Sequence, residues 1–307
     1  MIRPRTIRVR AHAKLNLSLR VGARQPDGFH PLQTVFQSLA LHDVVEVAAR
    51  RGPFELTCSD ASVPVDDGNL VTRAARLLWA VTGRAGEPRD VAIRLTKHIP
   101  VQAGLGGGSA DAAAALTALA RLWRPRGTRA ALAAVAARVG SDVPYFLVGG
   151  SALGLGRGDD LYPLEDLPPF SVVLAFPGFG VSTADAYRWF DEDRANGGGA
   201  AGPGGGAVEA WPGRVLEVTN DLEGPVARRH PEIAAIRDTL VAAGATAAAM
   251  TGSGSAVFGL FEGAAGARRA ARAVAEAGWM AALTRTVDRR TCHRVHFSFA
   301  SSSPRHA

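Results

Sequence analysis

Alternating and periodic apolar positions predict a mixture of strands and helices along the whole chain. Near the amino terminus, arginines alternate with isoleucine, valine and alanine, which is typical of a half-buried strand. Strands are predicted over residues 7–20, 44–47, 91–95 and 171–176, with a further apolar segment over residues 32–41. Helices are predicted over residues 70–81, 109–123, 128–139, 232–243 and 264–277, with one more beginning near Ser182 or Thr183. This mixed order predicts an α+β fold.

A glycine-rich run leads directly into an alanine-rich helix. Gly104, Gly106, Gly107 and Gly108 carry no side chains, so consecutive backbone N–H groups are able to close around an anion. The helix adds unpaired amides and the positive end of its dipole, and Ser109 is predicted to be both its N-cap and a hydroxyl ligand. The segment predicts a phosphate-binding loop, with a simple flexible turn as the alternative.

Two common nucleotide-binding loops do not fit this segment. A Walker A loop requires a lysine and then serine or threonine after its last glycine, whereas Gly108 is followed by Ser109 and Ala110. A dinucleotide fingerprint requires a glycine at the position of Ser109. If the loop binds phosphate, it therefore belongs to neither of these two classes of nucleotide-binding loop.

Length and composition indicate an ordinary globular protein. The chain has 307 residues, enough for one large domain or two, and 47% of them are apolar. It contains no run of about 18 apolar residues and no apolar signal core at its start, so a cytoplasmic location is expected. Cys58 and Cys292 show no metal-binding or disulfide spacing. Residues 196–207 are predicted to be a mobile surface insertion, and residues 301–307 a frayed tail.

The basic residues are almost all arginine. The formal net charge is +7, but the arginines are scattered rather than gathered in one run, so RNA binding is a minor alternative. Only Lys14 and Lys97 are lysines. A compact ammonium group and a planar guanidinium are not interchangeable where space is tight, so both lysines are candidates for specific roles.

Two segments in the first fifth of the chain combine polar groups with strand or turn signals. Lys14 and Asn16 lie on one face of the first predicted strand, either as site residues or as a solvated face. Phe29 and His30 follow a tight turn, where an aromatic ring and an imidazole suit a planar base. A turn with a packed phenylalanine is the alternative.

Two later segments have similar signals. Asp142 follows a helix stop, and its carboxylate either accepts a proton from a substrate hydroxyl or caps a turn. A Gly-Ser-Gly bend over residues 252–254 separates two apolar strands, where the backbone either approaches a ligand or forms a plain hairpin.

Taken together, these segments resemble the GHMP kinase superfamily, whose phosphate loop reads Pro-x-x-x-Gly-Leu-Gly, then small residues and Ser-x-Ala. The matching motif runs from Pro100 through Leu105 to Ala110. Within the superfamily, the chain is most similar to a kinase of non-mevalonate isoprenoid precursor synthesis, whose substrate carries a cytidine diphosphate group. The matching segments cover residues 13–16, 27–30, 100–110, 141–144, 177–178, 182–183, 220–221 and 251–254.

The resemblance implies a two-domain GHMP kinase fold with the active site between the domains. Residues 1–160 would form an ATP-binding domain like ribosomal S5 domain 2. Residues 161–307 would form a GHMP C-terminal substrate domain, with the flexible glycine-rich insertion near residues 195–207. The implied reaction is transfer of the γ-phosphoryl group of ATP to a hydroxyl of a small molecule, with no nucleic acid or membrane partner. A monomer or weak homodimer is expected.

The resemblance also implies a role for each candidate residue. Asp142 matches the catalytic base, and Lys14 matches the lysine that keeps it ionised and neutralises the transferring group. The residues implied for ATP are Pro100, Gly104, Leu105, Gly106, Gly107, Gly108, Ser109 and Ala110 at the phosphates, with Asn69 and Lys97 near the adenine and ribose. The residues implied for the substrate are Asn16, Phe29, His30, Thr183 and Tyr187. Phe29 and Tyr187 would enclose the cytosine ring, and His30 would contact its edge.

Magnesium is expected with ATP, although no segment indicates a dedicated metal site. The family often has tyrosine at the position of Phe29, so this chain keeps the stacking surface and loses a hydroxyl. Two alternatives remain open. A homoserine or mevalonate kinase would share the phosphate loop without needing Phe29 and His30, and an RNA-binding protein would share the S5-like topology without needing Asp142.

Overall fold

Two long antiparallel strands, β1 (Thr6–Val21) and β2 (Leu32–Pro53), organise the first sheet. The structure is a computed structural model that describes residues 6–125, 128–197 and 218–298. The remaining strands of this sheet are β3 (Glu55–Cys58), β4 (Arg89–Thr96), β5 (Ser151–Gly156), β6 (Asp160–Pro163), β8 (Thr219–Asn220) and β12 (Val295–Ser298). Strand β5 pairs with the first part of β2 and β4 with its second part, while β8 and β12 pair with β1.

The strands of the second sheet are β7 (Ser171–Phe176), β9 (Ala247–Met250), β10 (Val257–Phe261) and β11 (Met280–Arg285). This sheet is antiparallel throughout, in the order β11, β7, β10, β9. Leu15 and Leu17 of β1 share one buried cluster with Leu174 and Phe258 of this sheet. Because side chains alternate along a strand, Lys14 and Asn16 are directed away from that cluster.

Helices cover the outer parts of both sheets. They are α1 (Leu70–Val81), α2 (Gly107–Trp123), α3 (Thr128–Val139), α4 (Val143–Val148), α5 (Thr183–Ala195), α6 (Glu223–Arg229), α7 (Glu232–Ala242), α8 (Ala264–Glu276) and α9 (Arg289–Cys292). Helix α2 is buried along most of its length because its many alanines let it pack closely on β1, β2 and α1. Among the described residues, no helix is long and apolar enough to cross a membrane.

The α+β class and most of the elements are confirmed. Helices α1 and α3 and strand β7 have the predicted bounds, and β1 is one residue longer at each end. Residues 42–43, predicted to separate two segments, instead continue β2 in register with β1. Helices α4, α6 and α9 and strands β3, β5, β6, β8, β11 and β12 were not predicted. Residues 198–207 of the predicted insertion and residues 301–307 of the predicted tail lie outside the described residues, and the domain boundary at residue 160 stays a prediction.

The glycine-rich loop packs directly against the bend between β9 and β10. Gly104 has a positive φ of 76°, and a Cβ atom placed there would overlap the carbonyl oxygen of Thr251. The Lys14 amide donates to the Leu105 carbonyl at 3.1 Å, and the Ala256 amide to the Ala103 carbonyl at 3.3 Å. The loop is therefore held between β1 and the bend by backbone contacts.

A buried cluster of three charges supports the entrance to the loop. The ammonium group of Lys97 donates to Asp43 and, at 2.6 Å, to Asp111 in the first turns of α2. Asp43 also accepts the amides of His98 and Ile99, which lead into the loop. Burial is the main cause that raises the pKa of Asp111 to about 7, and Asp43 raises it further while Lys97 opposes the shift.

The close approach at Gly104 predicts a specific loss of stability. Replacing Gly104 with alanine combines overpacking against Thr251 with an unfavourable positive φ, so we expect a loss of about 2–4 kcal/mol in urea unfolding. Gly108→Ala is the matched control, because its nearest contact is 3.9 Å away and alanine favours a helix. Equal stability of the two variants would contradict this packing.

The raised pKa of Asp111 predicts a pH dependence of stability. The folded chain holds this proton more tightly than the unfolded chain, so the contribution is fully present below pH 3.8 and is lost as the pH rises to about 7. In Asp111→Asn, the free energy of unfolding should therefore fall less over this interval than in the parent protein. The control is Asp160→Asn, at a carboxylate exposed on β6. The same pH slope in the parent protein and Asp111→Asn would refute the assignment.

Candidate active site

Helix α2 begins two residues earlier than predicted, and this leaves its first amides free. Gly106 occupies the N-cap position with a left-handed conformation and makes no side-chain capping bond. The amide of Ala110 is the one that bonds to the Gly106 carbonyl, at 2.9 Å, so the amides of Gly107, Gly108 and Ser109 have no acceptor within the helix. The prediction that Ser109 is the N-cap is wrong, because a glycine with positive φ starts the helix before it. Ser109 lies in the first turn, where its side chain lines a cavity.

Lys14 presents a buried ammonium group beside this loop. Its Nζ donates to Asn16 Oδ1 and lies 3.8 Å from Asp142 Oδ2. The Asn16 amide nitrogen donates to Thr34 Oγ1 at 2.7 Å, which fixes its oxygen towards Lys14. Burial lowers the pKa of Lys14, and the charge of Asp142 opposes this shift. The alternative that Lys14 and Asn16 lie on a solvated face of the strand does not fit, because both residues are almost fully buried.

Asp142 lies immediately before α4 and keeps its carboxylate free of the helix backbone. It occupies the N-cap position, yet its side chain makes no capping bond. The side chain is 36% exposed, compared with 5% for Lys14. The carboxylate is therefore accessible to a ligand and paired with a cation, and the alternative of a simple turn cap does not fit.

A cavity of about 540 Å³ joins these groups. We call it the inner cavity. Its lining includes Lys14, Asn16, Gly104, Gly106, Ser109, Asp142, Thr183, Tyr187, Gly252 and Ser253. Thr183 contacts Ser253 through their hydroxyl oxygens at 3.0 Å, and Ser182 rather than Thr183 caps α5. Phosphate-loop, strand, bend and helix residues from distant parts of the chain therefore face one space.

An outer cavity of about 820 Å³ adjoins the inner one. The two share Leu32, Ser141, Arg157, Thr183 and Tyr187 in their linings. Phe29 is 51% exposed at the outer cavity, with the Arg157 guanidinium 3.7 Å from its ring centroid. Burial and the charge of Asp142 raise the pKa of Tyr187, which therefore remains a neutral phenol.

His30 is buried in the wall of the outer cavity. Its Nδ1 lies 3.0 Å from the Gly22 carbonyl, and its Nε2 lies 3.3 Å from the Asp191 carboxylate. The Tyr187 ring lies 5.2 Å from the imidazole, centroid to centroid. Both imidazole nitrogens face oxygen acceptors, so these contacts fix the orientation of the ring.

Asn69 and Lys97 have structural contacts outside the inner cavity lining. Asn69 caps α1 by accepting the Val71 amide at 2.8 Å, and it donates to the Pro64 carbonyl at 2.6 Å. The amine of Lys97 is occupied by Asp43 and Asp111, as described above. Contacts of Asn69 and Lys97 with adenine or ribose stay predictions.

Several residues at the site gave weak or no signals in the sequence. Arg157 and Asp191 lie in exposed polar segments that resemble many others, and Asp43 lies within an apolar run. Asp111 is more visible, because it is the single acidic residue within the alanine-rich helix α2. The described residues contain no group of three or more His, Cys, Asp or Glu side chains arranged to hold a metal ion.

Comparisons with known proteins identify relatives over most of the chain. Residues 69–150 match the family model of the GHMP kinases N terminal domain, and residues 209–278 match that of the GHMP kinases C terminal. The 4-diphosphocytidyl-2-C-methyl-D-erythritol kinase of Anaeromyxobacter dehalogenans is 47% identical, over 91% of this chain and 90% of the relative. The enzyme of that name from Pelotomaculum thermopropionicum is 42% identical, over 91% of this chain and 98% of the relative.

Solved structures agree with this relationship. A crystal structure of 4-(cytidine 5'-diphospho)-2C-methyl-D-erythritol kinase has a TM-score of 0.76 and 39% identity, and the match covers 91% of this chain and 98% of that one. Homoserine kinase from Cytophaga hutchinsonii has a TM-score of 0.68 at 19% identity, covering 92% and 95% of the two chains, and shows the shared fold alone. The chain belongs to the 4-diphosphocytidyl-2-C-methyl-D-erythritol kinase family, within the GHMP kinases.

Proposed function

We propose that this protein phosphorylates the 2-hydroxyl group of 4-diphosphocytidyl-2-C-methyl-D-erythritol with ATP, in non-mevalonate isoprenoid precursor synthesis. The observation that carries the proposal is the pairing of Lys14 with the accessible Asp142 in a cavity that also receives the free amino-terminal end of α2. The adjoining outer cavity, with its aromatic walls, is of the kind that accommodates a pyrimidine base.

The phosphate loop provides the binding site for the ATP phosphates in this proposal. ATP is the donor expected of a GHMP kinase. The free amides of Gly107, Gly108 and Ser109 bind phosphate oxygens, and the dipole of α2 favours the negative charge. Lys14 approaches the same space, because it lines the inner cavity together with Gly106 and Ser109, and its Cγ lies 3.2 Å from the position of a Cβ atom on Gly106. Its charge stabilises the phosphoryl group during transfer.

Asp142 acts as the general base. Its carboxylate takes the proton from the 2-hydroxyl as that oxygen bonds to the γ-phosphorus. The bond between the γ-phosphorus and the β,γ-bridging oxygen breaks. The bridging oxygen keeps the electron pair of that bond and leaves as part of ADP. Lys14, 3.8 Å away, favours the ionised carboxylate before the proton moves.

The outer cavity provides the contacts for the cytidine diphosphate group. Phe29 and Tyr187 bind the faces of the cytosine ring. His30 binds its edge through Nε2, which exchanges its contact with Asp191 for one with the base. Asn16 and Thr183 lie in the inner cavity, where the erythritol hydroxyl groups would be placed. Phe29 keeps the stacking surface that the family often provides with a tyrosine.

Magnesium would be held mainly by the ATP phosphates and water. Oxygen ligands suit this ion, and Ser109 and Asp142 are among the residues of the inner cavity lining whose side chains carry oxygen. When bound, the ion neutralises phosphate charge and so lowers the barrier to transfer.

Loss of the base should remove turnover without removing the fold. In Asp142→Asn, we expect kcat to fall by about 10²- to 10⁴-fold, the usual contribution of general base catalysis. The assay is ADP release with ATP, magnesium and the cytidyl substrate, run beside homoserine and mevalonate. Asp160→Asn is the control and should retain activity. Turnover of homoserine or mevalonate instead, or full activity of Asp142→Asn, would refute the proposal.

Loss of the Tyr187 ring should weaken binding of the cytidyl substrate and leave binding of ATP nearly unchanged. In Tyr187→Ala, we expect the KM for the cytidyl substrate to rise about 10- to 100-fold, since stacking on an aromatic side chain contributes about 1–3 kcal/mol per base. The KM for ATP should change little. Tyr162→Ala, at a tyrosine 49% exposed on β6, is the control. Equal changes in the KM for ATP and the KM for the cytidyl substrate would show that Tyr187 does not stack on the cytosine ring.

A further inference from the structure

The function proposed above leaves the diphosphate of the cytidyl substrate without a cation. That function places the cytosine ring in the outer cavity and the erythritol hydroxyl groups in the inner cavity. The diphosphate joins these two parts of the substrate, so it must cross the junction between the cavities. A group with this much negative charge binds most strongly where a cation donates hydrogen bonds to its oxygens.

Arg157 is the one charged residue at that junction among the described residues. Five residues line both cavities, and the other four are Leu32, Ser141, Thr183 and Tyr187. Arginine presents a planar fork of N–H donors that matches a pair of phosphate oxygens. The junction therefore offers the diphosphate a single charged partner.

Strand pairing places Arg157 beside the turn that precedes β2. Arg157 lies in the turn between β5 and β6, and Leu32 at the start of β2 pairs with Gly156 at the end of β5. The Arg157 guanidinium donates to Asp27 Oδ2 at 3.1 Å, and its Cζ lies 3.7 Å from the centroid of the Phe29 ring. The guanidinium is thus within reach of a ligand that binds at Phe29.

Both contacts of the guanidinium are exchangeable. In the ion pair, the side chains of Arg157 and Asp27 are 52% and 49% exposed, and pairs at this exposure stabilise a fold little because water screens the charges. The guanidinium also covers one face of the Phe29 ring, at a distance typical of stacking. A base that stacks on this face displaces the guanidinium, and the diphosphate attached to the base then offers it a stronger acceptor.

The other cations near the two cavities are already paired or lie away from the junction. Arg188 of α5 pairs with Asp185 at 2.6 Å and with Glu192 at 3.3 Å. Arg24 lines the outer cavity alone and donates to a backbone carbonyl at 3.2 Å. Lys14 lines the inner cavity alone, beside the phosphate loop.

We propose, on the basis of the function proposed above, that Arg157 binds the diphosphate of the cytidyl substrate and so selects a cytidine diphosphate group over cytidine itself. In the free protein, the guanidinium lies on the Phe29 ring and pairs with Asp27. When the substrate binds, the base takes the face of the ring, and the guanidinium moves to the phosphate oxygens at the junction of the cavities.

The test compares cytidine 5'-diphosphate with cytidine in calorimetric titrations of the full chain saturated with ADP. Saturation with ADP fills the phosphate loop, so the diphosphate of the probe does not bind there. In Arg157→Gln, we expect the affinity for cytidine diphosphate to fall about tenfold or more, since a hydrogen bond to a charged group is lost, and the affinity for cytidine to be kept. Arg272→Gln, on the exposed face of α8, is the matched control and should bind both probes as the parent protein does. Unchanged affinity for cytidine diphosphate in Arg157→Gln, or an equal loss for both probes, would overturn the proposal.

A second variant, Asp27→Asn, distinguishes a ligand-binding arginine from a structural ion pair. It removes the charge that holds Arg157 and keeps an oxygen, Oδ1, which accepts the Phe29 amide at 3.0 Å. If Arg157 binds the diphosphate, Asp27 competes for it, so the affinity for cytidine diphosphate should rise about two- to fivefold in Asp27→Asn. A pair that only holds the turn predicts the opposite, a similar fall in Asp27→Asn and Arg157→Gln, and that result would refute the role of Arg157.

Failure of the proposed function gives a different result from failure of this assignment. If neither cytidine diphosphate nor cytidine binds the parent protein, the outer cavity takes no cytidyl group, and both proposals are wrong. If both probes bind the parent protein and Arg157→Gln equally well, the proposed function stands and the role of Arg157 is wrong.

Discussion

The backbone contact between the phosphate loop and the bend that follows β9 places the free end of α2 and Lys14 in one cavity. Gly104 approaches the Thr251 carbonyl so closely that no side chain fits between them. Two backbone hydrogen bonds, from Lys14 and Ala256, hold the loop on either side. Asn220 fixes the bend by donating to the carbonyls of Met250 and Gly252, both at 2.8 Å. The free end of α2 is thereby placed beside Lys14, although these segments are far apart in sequence.

The side chains of both lysines of the chain are buried, and their surroundings differ in a way that matches the roles proposed for them. Lys97 is enclosed by Asp43 and Asp111, so its charge is used within the protein and supports the loop. Lys14 has one carboxylate, that of Asp142, at 3.8 Å and faces a cavity. Its charge therefore remains available to a phosphoryl group. The compact ammonium group suits both positions, where a guanidinium would require more room.

Local signals were enough to predict much of the fold. Helix α1 has the predicted bounds, and the structure shows that Asn69 is its N-cap, a signal that the sequence analysis did not use. Helix α2 was predicted because alanine favours helices. Its start was predicted two residues too late, because Gly106, with a positive φ and no side chain, takes the N-cap position that was assigned to Ser109. Helix α4 was missed, since its sequence of Val-Pro-Tyr-Phe-Leu-Val has the composition of a strand and little room for a helical period.

The site was less predictable than the fold. Motifs indicated that Lys14, Asn16 and Asp142 carry chemistry, but contacts between distant segments decide what each one does. The pairing of Lys97 with Asp43 and Asp111 spans 54 and 14 residues and has no periodic signature. The same holds for the contact of His30 with Asp191, which requires α5 to pack beside the first turn of the chain.

The decisive measurement is a crystal structure with a non-hydrolysable ATP analogue and 4-diphosphocytidyl-2-C-methyl-D-erythritol bound together. We expect the phosphates to lie on the amides of residues 107–109 and the 2-hydroxyl oxygen to lie within about 3.2 Å of Asp142, the reach of a general base. Phosphates bound away from the loop, or a hydroxyl beyond the reach of Asp142, would contradict this expectation.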